Sequence, residues 1–406
     1  MKLAFVVQRY GADIAGGSEA HCRELARRLV ERHDITVLTT CARDYVTWEN
    51  SLPAGASSDG QVRVVRFPVT RPRRLKDFAD FSDQILDGTD PEHEEAWFRE
   101  NGPLVPALLD HLRERGTAYD LVLFWTFRYY PSFFGLPLVR DRAVLVPTAE
   151  DDRAVTLPVL QQFFRTPAGF LFMTPEEEAL VSARAGQRLE PSATIGIGID
   201  AAAEDPGARA LLNARHIPAE FLLYLGRVDR NKGCDTLLDY FQDYAAREPG
   251  VSLVLAGPAK MQIPAHPRIV ATGYVSDELR RALLGQAMAL VVPSPYESLS
   301  IVLLEAWNCG VPALVNEFCK VLRGQVRRAN GGLYYRSSRE FIEALTFLRA
   351  HPRERRALGQ SGLEFVNREY RWPTVIARVE ALLDAVRTRS ATATAAVVRP
   401  GESSRD

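Results

Sequence analysis

The chain has 406 residues, enough for two or three domains. Hydrophobic residues make up 46% and charged residues 25%, which excludes global disorder, a collagen-like repeat and a small disulfide scaffold. Lys and Arg total 50 against 51 Asp and Glu, and a net charge of -1 gives no basis for general nucleic-acid binding.

The first predicted element is a buried strand over 2–7. Its five apolar residues, Leu3 to Val7, are too few for a signal-peptide core. No apolar run reaches about 18 residues, so no spanning helix is expected and only a peripheral membrane contact stays open. The five cysteines (Cys22, Cys41, Cys234, Cys309 and Cys319) form no Cys-x-x-Cys pair and read as reduced thiols of a cytoplasmic protein. The loop 10–19 follows the strand and opens a helix over 18–32. It lacks the G-x-G-x-x-G spacing of a dinucleotide site. Its adjacent Gly16 and Gly17 allow close approach of a ligand to the backbone, and a helix N-terminus favours an anion. A plain strand-to-helix turn is the competing reading. His21, in the helix's first turn, reads as structural or surface rather than catalytic.

Strands are next expected at 34–40, 62–67, 119–126, 143–147 and 169–173, with a helix over 103–115. Arg71-Pro72-Arg73-Arg74-Leu75-Lys76 is a basic loop, either simply solvated or suited to an anionic acceptor or lipid headgroups. The aromatic run 124–130 reads mainly as core, with Tyr129 or Tyr130 as the candidates to line a ligand pocket. After 143–147 come Glu150, Asp151 and Asp152. They read as an acidic helix start, or as a site edge favouring a cationic or amino-bearing acceptor, and not as a metal site.

A seam is expected within 195–218, where Gly and Pro punctuate the chain. Strands then recur near 220–225, 251–256, 268–272, 289–293 and 312–315, alternating with helices near 234–247, 277–287, 300–309 and 338–350. Repeated strand and helix predict parallel sheets, hence an α/β protein with two Rossmann-like domains. Ligands in such sheets sit beyond the carboxyl ends of the strands. Two motifs stand there. Gly226-Arg227-Val228-Asp229-Arg230-Asn231-Lys232-Gly233 offers two cations, a natural diphosphate clamp or a solvated basic turn. Further on, Glu297 lies in a loop and Glu305 lies about 7–8 Å along the helix that starts near Ser300. Between the two acids lies a helix N-terminus, which suits a ligand with hydroxyls at both ends and a diphosphate between.

Together these motifs resemble the family-4 retaining glycosyltransferases of the GT-B fold, two Rossmann-like domains facing across a central cleft. Glu297 to Glu305 matches the family's E-x7-E element, and Gly226-Arg227 with Lys232-Gly233 its GR-x4-KG element. Gly16-Gly17-Ser18-Glu19, Ala256-Gly257-Pro258, Gly273-Tyr274-Val275-Ser276, Gly310-Val311-Pro312-Ala313 and the Trp372 segment agree in order. The resemblance implies an acceptor-binding domain over 1–200, a donor-binding domain over 201–371 and a helix over 372–388 crossing back to the first domain; the tail 389–406 reads as disordered.

The resemblance further implies that Arg227 and Lys232 bind the diphosphate, Glu297 the donor sugar and Glu305 the ribose. The backbone at Leu299, Ser300 and Ile301 would meet phosphate, that at Tyr274 and Val275 the base, and the Gly16-Gly17 loop would lie at the reacting centre. Glu150 stands where relatives carry a His, which bears on acceptor preference. The expected activity is metal-independent, retaining transfer from a UDP- or GDP-linked sugar to a small-molecule, glycan or lipid-linked acceptor, with no cofactor and no nucleic-acid partner. A sugar-nucleotide epimerase of the same fold and a catalytically silent binding protein are the rivals. Donor, acceptor and oligomeric state stay open.

Overall fold

The computed structural model describes residues 1–14, 16–88, 91–203 and 205–397. The chain divides into two compact units, one of Met1–Gly196 with the chain from Ile376 onward, the other Ile197–Val375.

The first unit is built on an eight-stranded sheet. Its strands are β1 (Lys2–Val6), β2 (Asp34–Thr40), β3 (Gly55–Asp59), β4 (Val62–Phe67), β5 (Leu121–Trp125), β6 (Ala143–Val146), β7 (Gly169–Phe172) and β8 (Ser192–Thr194). The order is β3-β4-β2-β1-β5-β6-β7-β8, parallel except for the β3/β4 hairpin. β5, β6 and β7 are buried along their whole length, as strands covered by helices on both faces must be.

The second unit carries an all-parallel sheet of β9 (Phe221–Leu225), β10 (Ser252–Ala256), β11 (Ile269–Gly273), β12 (Ala289–Val292), β13 (Ala313–Asn316) and β14 (Gly332–Tyr335). Their order is β11-β10-β9-β12-β13-β14. The chain therefore runs outward from β9 to β11 and returns to the other side of β9 at β12. β9 and β12 pair directly, Leu222 opposite Ala289 and Leu223 opposite Leu290. Their carboxyl ends form the topological switch point, where ligands of open α/β sheets bind.

The strands anticipated from apolar runs are present within about two residues. Three others carried no such signal. β3 (GASSD) is a largely exposed edge of small polar residues, β8 has three residues, and β14 begins with glycine. Helices Leu75–Asp87 and Pro91–Asn101 were likewise not anticipated, and the basic loop runs into the first of them.

The last helix spans Trp372–Val397, where a disordered tail was expected from 389. Arg389 Nη1 donates to the Glu190 carbonyl (2.7 Å) and Ser390 Oγ to that of Asp141 (2.6 Å), which fastens the helix beyond 388. Residues 398–406 of the expected tail, and Ala15 of the first loop, lie outside the described residues.

Candidate functional site

The switch point of the second unit gathers the residues of both motifs. β9 ends at Leu225, and the chain turns sharply at Gly226, whose N–H donates to the Ala256 carbonyl (2.9 Å). Gly257 stands opposite with φ 144°, and a Cβ there would lie 2.0 Å from the Gly226 carbonyl oxygen. Only glycine at 257 lets these strand ends approach so closely. The Tyr224 hydroxyl donates to the Arg227 carbonyl (2.6 Å), and burial raises its pKa.

Asp229 organises the loop. Its Oδ1 accepts the Lys232 N–H (2.9 Å), capping the short 3-10 turn Arg230–Lys232, and its Oδ2 pairs with Arg227 Nε. Gly233 then enters the helix Cys234–Arg247 at φ 72°, where a Cβ would strike the Pro293 carbonyl at 2.5 Å. This contact seats the GR-x4-KG loop against the segment leaving β12.

That segment carries Glu297, whose Oε1 accepts from Lys232 Nζ at 2.8 Å. The two motifs are thus joined by an ion pair across 65 residues of sequence. Leu299 and Ser300 are buried and Ile301 opens the helix Ile301–Asn308. The Ser300 N–H is accepted by Oε1 of Gln325, a fully buried side chain of the helix Lys320–Ala329. Glu305, one turn into its helix, pairs with Arg280 Nη2 at 2.5 Å. Burial raises the Glu305 pKa, and Arg280 pulls it back. Beyond β11, Tyr274 is exposed and Val275 half-buried.

Arg227, Lys232, Glu297 and Glu305, with the Leu299–Ile301 backbone, are therefore ranged along the carboxyl edge of one sheet. Each of the four charged side chains pairs with an opposite charge, and only Lys232 and Glu297 pair with one another. The sequence motifs do not single out Asp229, Arg280 or Gln325. Asp229 has a local signal, a capping acid three residues before Lys232. Arg280 and Gln325 each lie 25 residues from their partner and leave no local trace.

In the first unit, Gly16 precedes the helix Gly17–Leu29, and a Cβ on it would lie 2.2 Å from Glu19 Oε2. Glu19 forms a buried ion pair with Arg9 (2.6 Å) and accepts from Ser18 Oγ (2.8 Å). Gly16 thus makes room for this pair. His21 has a structural place: its Nε2 meets the Gly196 carbonyl (3.0 Å) and its Nδ1 accepts from Trp125 Nε1 (2.9 Å). Burial lowers its pKa to about 4.

Glu150 stands beyond β6, after Thr148 in a left-handed conformation (φ 46°). The adjoining Ala149 N–H donates to Glu177 (2.6 Å), which also accepts from the Met173 N–H (2.5 Å). Burial, with a smaller push from the Glu150 charge, raises Glu177 to about 8. Asp152 pairs with Arg128 (2.8 Å) and accepts from the Ala154 N–H, so it is not spare for a cationic acceptor. In the aromatic run, Phe124, Trp125, Phe127 and Tyr130 are core, and only Tyr129 is half-exposed. In the basic loop, Arg73 donates to the carbonyls of Val46 and Tyr45 and to Asn101, and Arg71 pairs with Glu100.

Residues 219–351, about a third of the chain, match the family model described as "Glycosyl transferases group 1". A glycogen synthase of Mycobacterium tuberculosis is 34% identical over 140 residues, which are 32% of this chain and 33% of that protein. The chain thus covers about a third of that curated relative's length. Sucrose-phosphate synthase from Thermosynechococcus elongatus superposes with a TM-score of 0.73 at 20% identity, over 96% of this chain and 99% of that one. The fold is GT-B. A second GT-B neighbour, Anabaena HepE in complex with UDP and glucose, gives 0.69 at 14% identity over 95% of this chain and 100% of its own. No helix among the described residues is long and apolar enough to cross a membrane.

Proposed function

We propose that the chain is a retaining glycosyltransferase that moves a sugar from a UDP- or GDP-linked donor to an acceptor hydroxyl without a metal. The observation that carries this reading is the convergence of Lys232, Glu297 and the helix start at Ser300 on the β9/β12 switch point. The partial match to group 1 glycosyltransferases and the UDP held by a GT-B neighbour support it.

In this reading Arg227 and Lys232 grip the diphosphate, and the main chain over Leu299–Ile301 faces it, with Gln325 holding the Ser300 N–H in place. As the bond from sugar to phosphate breaks, negative charge grows on the leaving phosphate. Fixed cations and a helix N-terminus stabilise that charge more than they stabilise the ground state. Glu297 accepts from hydroxyls of the donor sugar, and Glu305 from those of the ribose. The acceptor hydroxyl enters on the face the leaving group departs from, and the phosphate takes its proton. The acceptor is assigned to the first unit, with Glu150 and the Gly16-Gly17 loop as the residues that meet it.

The test is nucleotide diphosphate release from UDP- and GDP-sugars with a panel of acceptors, in EDTA, with the product anomer assigned by NMR. Lys232→Ala should cost about 2–4 kcal/mol of barrier. Near-normal turnover in that variant would overturn the assignment.

A further inference from the structure

Three strands of the second sheet end in an exposed aromatic ring: β11 is followed by Tyr274 (87% exposed), β12 by Tyr296 (46%) and β13 by Phe318 (72%). Rings of this size are usually buried, and all three stand at the edge where this fold takes its ligand.

Phe318 is the most informative of them, because the main chain on either side of it is fixed. Asn316 Nδ2 donates to the Pro293 carbonyl (3.1 Å), and its Oδ1 accepts the Phe318 N–H (3.0 Å). Glu317 N–H donates to the Tyr335 carbonyl (2.9 Å). On the other side Cys319 is buried, and burial together with the nearby Glu297 charge pushes its thiol up to about 11. The loop is therefore tied through Asn316 to the segment that leaves β12 and carries Glu297, and it holds the exposed Phe318 next to Cys319, whose thiol feels the Glu297 charge. Tyr296, the residue before Glu297, is a second exposed ring on the segment that leaves β12.

A pyranose presents hydroxyls around its rim and C–H groups on its faces. A site that reads it combines a few charged hydrogen-bonding groups with an aromatic wall. Resting on the donor reading above, we infer that Phe318 is a specificity-determining residue that stacks on the C–H face of the donor's hexopyranosyl group, while Glu297 accepts from its hydroxyls. The sugar moved is thus one with an unobstructed apolar face.

The test compares dissociation constants for diphosphate and sugar-diphosphate pairs by calorimetry: UDP with UDP-glucose, GDP with GDP-mannose, ADP with ADP-glucose. In Phe318→Ala the sugar nucleotide should weaken by about tenfold while its bare diphosphate stays within about twofold, and Phe318→Trp should restore the wild-type ratio. A sugar-to-diphosphate ratio unchanged by Phe318→Ala overturns the inference, as does an equal loss on both ligands. If the wild-type protein binds none of the diphosphates, the donor reading itself falls, and this inference with it.

Discussion

At Glu305 burial works against ionisation and Arg280 works for it. If Glu305 accepts from ribose hydroxyls, the ionised form is the one that binds. Removing Arg280 raises the Glu305 pKa further, so ionisation is completed only at higher pH. Arg280→Ala should therefore weaken nucleotide diphosphate binding most at low pH and recover part of it as pH rises. Calorimetry at pH 6 and pH 8.5 reads the difference, and a pH-independent loss would point to packing instead. Asp229 tests the clamp from the other side. Asp229→Ala removes an ion-pair partner of Arg227 and the cap on the Arg230–Lys232 turn. It should weaken bare diphosphate and sugar nucleotide alike, by about tenfold, since a cap and a charge-assisted bond are together worth more than 1 kcal/mol.

At the scale of elements, the glycine pair at the ends of β9 and β10 sets the height at which the diphosphate loop leaves the sheet. Gly257→Ala would force a methyl group onto the Gly226 carbonyl from a backbone angle that L-residues avoid. Equilibrium unfolding should show a loss of about 2–3 kcal/mol. Gly60→Ala, with nothing within 4 Å of its Cβ, should cost less and leave nucleotide binding intact.

The switch-point loops were legible in the sequence because each follows a run of apolar β-formers, such as Phe221 to Tyr224 or Ala289 to Val292, and each ends in punctuating Gly or Pro. Parallel strands buried on both faces write that pattern directly. β3 wrote none, because an exposed edge strand needs no apolar residue. The Arg280–Glu305 and Ser300–Gln325 contacts were illegible for another reason: each joins two helices whose approach depends on packing, and no spacing rule links residues 25 apart. Glu297 and Lys232, chosen for a shared ligand, meet each other directly.

At the scale of the whole molecule, His21 makes the first unit sensitive to acid. Its Nε2 donates to the Gly196 carbonyl and its Nδ1 accepts from Trp125, so only the neutral ring satisfies both. The unfolded chain titrates near 6.5 and the folded one near 4, so the unfolded state binds more protons between these values. Stability from this group is full above pH 6.5. It is lost as pH falls toward 4, by up to about 1.4 kcal/mol per pH unit. Scanning calorimetry from pH 7.5 to pH 5 should show a falling melting temperature that His21→Gln flattens; equal slopes would remove His21 as the cause.

The last helix carries a consequence for biosynthesis. From Ile376 on it belongs to the first unit, and Val379, Leu383 and Val386 are buried along it. His33 meets Glu380 at 2.9 Å, and a Cβ on Gly169 would lie 2.5 Å from Val386. The first unit thus lacks one of its own walls until the second has been made. A nascent chain stalled near residue 375 would display an uncovered apolar strip, and chaperone retention or proteolysis should persist until the helix from Ile376 onward is released.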